Sequence, residues 1–149
     1  MEVTASVSTL LNDKNPLVWT VAPRATVFEA IEMMAEKNVG ALPVMDDGKL
    51  VGVISERDYT RNVVLKGKSS KETQVLEIMA SDIVIARPGD GVVECMRLMT
   101  EKRVRHLPVM DGGKMIGILS IGDLVKWIIS AQTATIDQLT KYVFGEYPE

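Results

Sequence analysis

Most of this chain is written twice, at a fixed offset of 65 positions. Pro23 returns as Pro88, Val27 as Val92, Glu29 as Glu94 and Met34 as Met99. The run Leu42-Pro43-Val44-Met45-Asp46 returns as Leu107-Pro108-Val109-Met110-Asp111, and Gly52, Ser55 and Asp58 return as Gly117, Ser120 and Asp123. Most other pairs exchange one apolar residue for another, as Val53 does with Ile118 and Ile54 with Leu119. The segments ahead of this stretch correspond too, Val7, Leu10 and Leu11 with Val75, Ile78 and Met79. Positions 23–61 align with 88–126 without a gap, so the chain is a duplication and both halves must reach the same fold.

Each half reads as β-α-β-β-α. Leu17 to Val21 has the β-branched and aromatic content of a strand. Thr26 and Glu29 form a capping box, with Val27, Ala30, Ile31 and Met34 on one face of the helix that follows. Asn38 suits a left-handed helix end. Ala41–Met45 and Lys49–Ile54 read as a hairpin around Asp46-Asp47-Gly48, with Pro43 marking a strand start or edge. Ser55 opens a helix through about Leu65, and Gly67 ends it. On this pattern repeat 1 covers 7–66, a polar linker 67–74, repeat 2 75–131 and a helical tail 132–149. In the tail, Ile136, Leu139 and Val143 fall at helical spacing, Gly145 stops the helix, and the apolar face is expected to pack on the body or on a second subunit. Each half alone leaves much apolar strand surface, so the two are expected to pack sheet to sheet, related by a pseudo-two-fold axis, in one α+β (mixed α/β) unit.

Composition closes several routes. The formal charge of −3 lacks the basic surplus of a general nucleic-acid binder. No apolar run is long enough to cross a membrane, and the N-terminus lacks a signal-peptide pattern, so a cytoplasmic location is expected. A single cysteine permits no internal disulfide. One histidine, His106, leaves no Ser/His/Asp set, and there is no Cys/His metal spacing, Gly-x-Gly-x-x-Gly or Walker loop. An enzyme is therefore not expected, and no cofactor is required. Cys95, Met33, Met34, Met96 and Met99 fall on helices and read as packing residues, as does Trp127.

The chemistry concentrates in Ser55-x-x-Asp58 and Ser120-x-x-Asp123, each at a strand-to-helix turn. Read plainly, either is a helix cap. Two copies at a constant offset, each after a Leu-Pro-Val strand and a Gly-led strand, resemble the tandem CBS domain, or Bateman module. The resemblance covers roughly residues 7–130, and with no catalytic domain attached the chain looks like a stand-alone CBS pair. It implies clefts between the halves for adenosine-containing ligands such as AMP, ADP, ATP or NAD(H), with Asp58 and Asp123 on ribose hydroxyls and Ser55 and Ser120 near phosphate. It further implies phosphate-binding cations just before Leu-Pro-Val, which here are Arg105 and His106 in the second half but Gly40 and Ala41 in the first.

Elementary chemistry agrees. A carboxylate accepts from two vicinal hydroxyls, a helix start presents free amides to phosphate, and arginine offers a bidentate fork. Arg57 and Arg61 add charge near the first copy, where their counterparts are Gly122 and Lys126. One well-formed phosphate site is expected rather than two. The expected function is a regulatory sensor that binds an adenine nucleotide and signals to a target protein, as a homodimer. The competing reading is a dimerisation module with empty clefts.

Overall fold

Both halves run through the same elements in a computed structural model that describes residues 5–13 and 18–143. The first half contains α1 (Val7–Asp13), α2 (Val27–Lys37), a hairpin of β1 (Ala41–Asp46) and β2 (Lys49–Ser55), and α3 (Glu56–Tyr59), which continues as a π-helical turn over Thr60–Val64. The second contains α4 (Val75–Ile78), α5 (Val92–Lys102), a hairpin of β3 (His106–Asp111) and β4 (Lys114–Ser120), and α6 (Ile121–Val143). Among the described residues no helix is long and apolar enough to cross a membrane.

The hairpins follow from their turn residues. Asp47-Gly48 has φ of 50° and 77°, Gly112-Gly113 of 60° and 81°. Positive φ at both central positions defines the two-residue turn whose twist matches paired strands. The registers are identical, Val44 opposite Gly52 and Val109 opposite Gly117, with a bulge one step closer to each turn. Helix α2 is capped by the Thr26 hydroxyl, which accepts from the Glu29 amide at 3.1 Å. The reciprocal Glu29 half of the expected capping box is not formed among the described residues. Asn38 ends α2 in the left-handed region at φ 55°, as expected.

The strand expected over Leu17–Val21 is corrected: Leu17 lies outside the described residues, and only Val21 pairs, in a single parallel bridge to Val44. Val21 donates to the Pro43 carbonyl at 3.1 Å and accepts from the Met45 amide at 2.9 Å. A longer parallel ladder would next need N–H groups from residues 43 and 23, and both are prolines. Pro108 and Pro88 truncate the second half alike, leaving Ala86 bonded to Pro108 and Met110. Two further expectations shift. The helix after Ser55 ends at Val64 and changes to π geometry midway, and the tail is no separate helix but the outer part of the 23-residue α6. Gly145 lies outside the described residues.

Repeat boundaries and packing boundaries do not coincide. Helix α4, which opens the second repeat in sequence, buries Val75 and Ile78 in the first core with Val27, Met34, Leu42 and Ile54. Helix α1, which opens the first, buries Val7 and Leu10 in the second core with Val92, Met99, Leu107 and Leu119. The exchange is reciprocal in the backbone. Val75 donates to Ala25 and Leu76 to Pro23, while Val7 donates to Asp90 and Ser8 to Pro88. Residues 67–74 are therefore an ordered strap. Ser70 and Thr73 carbonyls accept from Phe28 and Val27, amides that the first turn of α2 leaves without helical partners. The two hairpin units pack together in this arrangement as a pseudo-two-fold pair.

The glycine that leads each repeated motif makes room for the exchanged helix. A Cβ on Gly52 would lie 2.5 Å from Met79 Sδ and 2.9 Å from the Ala80 carbonyl oxygen. One on Gly117 would meet only the Leu11 side chain, at 2.7 Å. Ala80 cannot retreat, because its amide and carbonyl both pair with Val53. Gly52→Ala is therefore expected to destabilise the protein by about 1–3 kcal/mol, whereas Gly117→Ala, opposed by a side chain that can change rotamer, costs less than ~1 kcal/mol. Thermal melts of the two variants check the order.

Cys95 lies in the second core, 2% exposed. Burial pushes its thiol up from 9.0 to about 11, with the Asp90 and Glu94 carboxylates adding to the shift. Since the native state holds this proton more tightly than the unfolded chain, the associated stability is complete below pH 9.0 and falls away as pH rises towards about 11. Alkylation at pH 9.0 is expected to be slow in native protein and fast in denaturant, as followed by mass spectrometry.

Candidate functional site

Strand β2 ends where the first Ser-x-x-Asp begins, and its geometry is a complete capping box. The Asp58 amide donates to Ser55 Oγ at 3.2 Å, while Asp58 Oδ2 accepts from the Ser55 amide at 2.9 Å and the Ser55 hydroxyl at 3.0 Å. Ser55 is extended at φ −125°, and Glu56 donates to the Gly40 carbonyl, tying the helix start to the approach to β1. The second copy repeats this, with Ser120 donating to Asp123 Oδ2 at 2.8 Å and Asp123 donating to Ser120 Oγ at 3.1 Å. Both motifs are thus helix caps in fact. At Asp58 these contacts all fall on Oδ2 and the backbone amide, which leaves Oδ1 for another donor.

The first copy opens onto a cleft between the halves. This cleft of about 450 Å³ is lined by Gly40, Ser55, Glu56, Arg57, Asp58 and Arg61 of the first half, by Ala80, Asp82, Ile83 and Val84 of the crossing segment, and by Arg103, Val104, Arg105 and His106 of the second. The structure therefore brings six of the eight sequence-derived candidates together. Ser120 and Asp123 do not line this cleft. Arg105 precedes β3 and accepts from the Ile121 amide, and His106 opens the strand opposite Ser120 in the hairpin register. They nevertheless line the cleft with Ser55 and Asp58, the other half's motif. The halves meet where Gly40 faces His106: a Cβ there would lie 3.5 Å from His106 Nε2 and 3.5 Å from Glu56 Oε1. The Gly40-Ala41 departure from the cationic pattern thus sets a small residue beside the second half's histidine.

Arg103 was not among the sequence candidates. It ends α5 in the left-handed region at φ 55°, where its amide donates to the Met99 carbonyl. That conformation is unfavourable for a side chain like arginine and ordinary for asparagine, which stands at the same place in the first half as Asn38. The signal was present in the alignment, as an arginine at a predicted left-handed helix end. Arg61 sits on the π-helical turn, a distortion its counterpart Lys126 in α6 does not share. Arg57, Arg61, Arg103 and Arg105 are all exposed and form no ion pair among the described residues. The apolar part of the lining, Val53, Ile83, Val84 and Val104, offers a flat partner surface on the same cleft. Chemically the cleft can hold an anion on guanidinium groups, a pair of hydroxyls at Asp58 and an apolar ring against the valines and isoleucine.

Comparison with known proteins agrees with this organisation. The CBS domain family matches residues 7–65 and 75–130. A mitochondrial CBS domain-containing protein of Arabidopsis thaliana is 39% identical over 127 residues, which cover 82% of this chain and 62% of that protein, so the chain spans somewhat under two thirds of that relative. A CBS-domain protein of Burkholderia ambifaria has a solved structure with a TM-score of 0.84 and 48% identity, covering 86% of this chain and 96% of its own. The fold is also shared, at 23% identity and a TM-score of 0.75 over 86% of this chain and 98% of the other, by a CBS domain pair solved in complex with 5′-methylthioadenosine and S-adenosyl-L-methionine. With two matched repeats, a reciprocal pair of hairpin units and a cleft between them, the chain belongs to the CBS-domain family.

Proposed function

We propose that this protein is a non-catalytic regulatory module that binds an adenosine-containing nucleotide, of the AMP, ADP, ATP or NAD(H) class, in the cleft beside Ser55 and Asp58, and passes the occupancy to a partner protein. The observation that carries the reading is the meeting of Ser55 and Asp58 from one half with Arg105 and His106 from the other in one cleft. Asp58 holds the ribose hydroxyls, Ser55 and the cations take phosphate, and the apolar wall takes the base. A ligand seated there touches both halves and the segment joining them, so it stabilises whichever relative arrangement fits it better. The adenosine compounds bound by the distant CBS pair are properties of that protein, and the ligand class proposed here rests on the residues of this cleft. Ser120 and Asp123 have the second position by symmetry, with Lys126 as the cation there.

Self-association is the second part of the reading. Ile129, Ile136 and Leu139 on α6 are 58%, 62% and 59% exposed and fall at helical spacing as one apolar stripe. A homodimer through this helix covers them. Sedimentation equilibrium is expected to give a dimer, shifted towards monomer by Ile136→Lys with the melting curve retained.

The nucleotide reading is checked by calorimetric titration of nucleotide-stripped protein with AMP, ATP, NADH and S-adenosylmethionine. At least one is expected to bind saturably. Asp58→Asn, which keeps most of the cap but loses the carboxylate, is expected to weaken it by about 10-fold or more. Asp123→Asn is expected to act much less on this cleft. Unchanged affinity in Asp58→Asn would sink the ribose assignment, and silence with all four ligands would leave the interaction module as the function.

A further inference from the structure

The cleft draws guanidinium groups from both halves. Four arginines line it, Arg57 and Arg61 from the first half, Arg103 and Arg105 from the second. Resting on the nucleotide reading above, we infer that the cleft selects ligands bearing a chain of two or more phosphates over nucleoside monophosphates and over the sulfonium cation S-adenosylmethionine.

The duplication supplies an internal control. The positions equivalent to Arg57, Arg61, Arg103 and Arg105 are Gly122, Lys126, Asn38 and Gly40. Four cations on one side thus correspond to one on the other, and the three neutral counterparts show that the fold itself does not demand Arg57, Arg103 or Arg105. Their concentration is also unfavourable in the absence of a ligand. Arg57 and Arg61 stand four apart on one helix, a spacing at which like charges repel. Arg103 adds the strained left-handed backbone of its helix end. None of the four has an ion pair among the described residues to offset this. The lining also holds three carboxylates, Glu56, Asp58 and Asp82, so the four guanidinium groups leave a formal surplus of one positive charge in the empty cleft.

The placement fits an extended anion rather than a compact one. Arg105 with His106 sits where the halves touch, while Arg57 and Arg61 come from successive turns of the opposing helix and Arg103 from the end of α5. One phosphate carries about two charges at neutral pH. Cations spread over three elements from both halves are matched by a phosphate chain that reaches from one to the next, each fork taking separate oxygens. S-adenosylmethionine presents a positive centre to the same groups and is disfavoured.

The test is calorimetric titration of the full, nucleotide-stripped chain with ATP, ADP, AMP, S-adenosylmethionine and inorganic tripolyphosphate, without divalent cations and at low and high salt. ATP and ADP are expected to bind at least about 10-fold more tightly than AMP, with S-adenosylmethionine weakest and the ATP affinity falling most steeply with salt. Arg103→Asn installs the residue the first half uses at this helix end, so the backbone is kept. It and Arg61→Gln are each expected to weaken ATP by about 10-fold and AMP by less than about 3-fold. Equal affinity for AMP and ATP, or arginine variants that weaken both alike, overturns the inference and leaves the nucleotide reading standing. Tripolyphosphate binding as well as ATP, with Asp58→Asn neutral, retains the polyphosphate site and overturns the adenosine reading. Failure of every probe to bind overturns both.

Discussion

The reciprocal docking of α1 and α4 holds this molecule together. Each opening helix leaves its own repeat and completes the core of the other, through matched backbone bonds such as Val75 to Ala25 and Val7 to Asp90. Neither hairpin with its helix buries a full core alone: the first relies on Val75 and Ile78, the second on Val7 and Leu10. The glycines at 52 and 117 belong to the same constraint, since the docked segments run over them at distances a side chain would block. A glycine that reads in sequence as part of a nucleotide motif is, in the first instance, a packing residue.

Much of this was legible because the physics is local. The hairpins followed from Asp47-Gly48 and Gly112-Gly113, the left-handed helix end from Asn38, and the helix starts from Thr26, Ser55 and Ser120. The strand over 17–21 was misread because β-branched and aromatic content speaks to packing, while the ladder is limited by donors. Pro43 and Pro23 remove the two flanking bonds, and the four prolines involved could have been read together in sequence. The exchange of α1 and α4 was not legible. The alignment of Val7 with Val75 is the same whether each helix docks on its own half or on the other, so periodicity carries no information about the choice.

The candidate site divides along the same line. Ser55, Asp58, Arg57 and Arg61 are neighbours in sequence, and their association needed only helix geometry. That Arg105 and His106 line the cleft of the first copy depends on how the halves face each other. In the hairpin register His106 lies opposite Ser120, yet both residues line the cleft of Ser55. Arg103 escaped because a helix end is usually read for its backbone. A residue whose side chain is costly in that conformation marks a position where something other than the backbone is being served.

The exchange also bears on how occupancy of the cleft reaches the rest of the molecule. Ala80, Asp82, Ile83 and Val84 line the cleft and lie on the covalent path from α4, docked in the first core, to Ala86, bridged to β3 in the second. Ala80 is fixed to Val53 by two backbone bonds, and Ala86 to Pro108 and Met110 by two more. The five residues between these anchors therefore span the halves. On the proposed reading a ligand contacts this span, the helix start at Ser55 and the approach to β3 together. Any difference in how well two arrangements of the halves accommodate it is then felt at α1 and α4, because each is pinned to the opposite core. A change in angle cannot be absorbed within one repeat, and this makes the pair, rather than the single domain, the unit that responds.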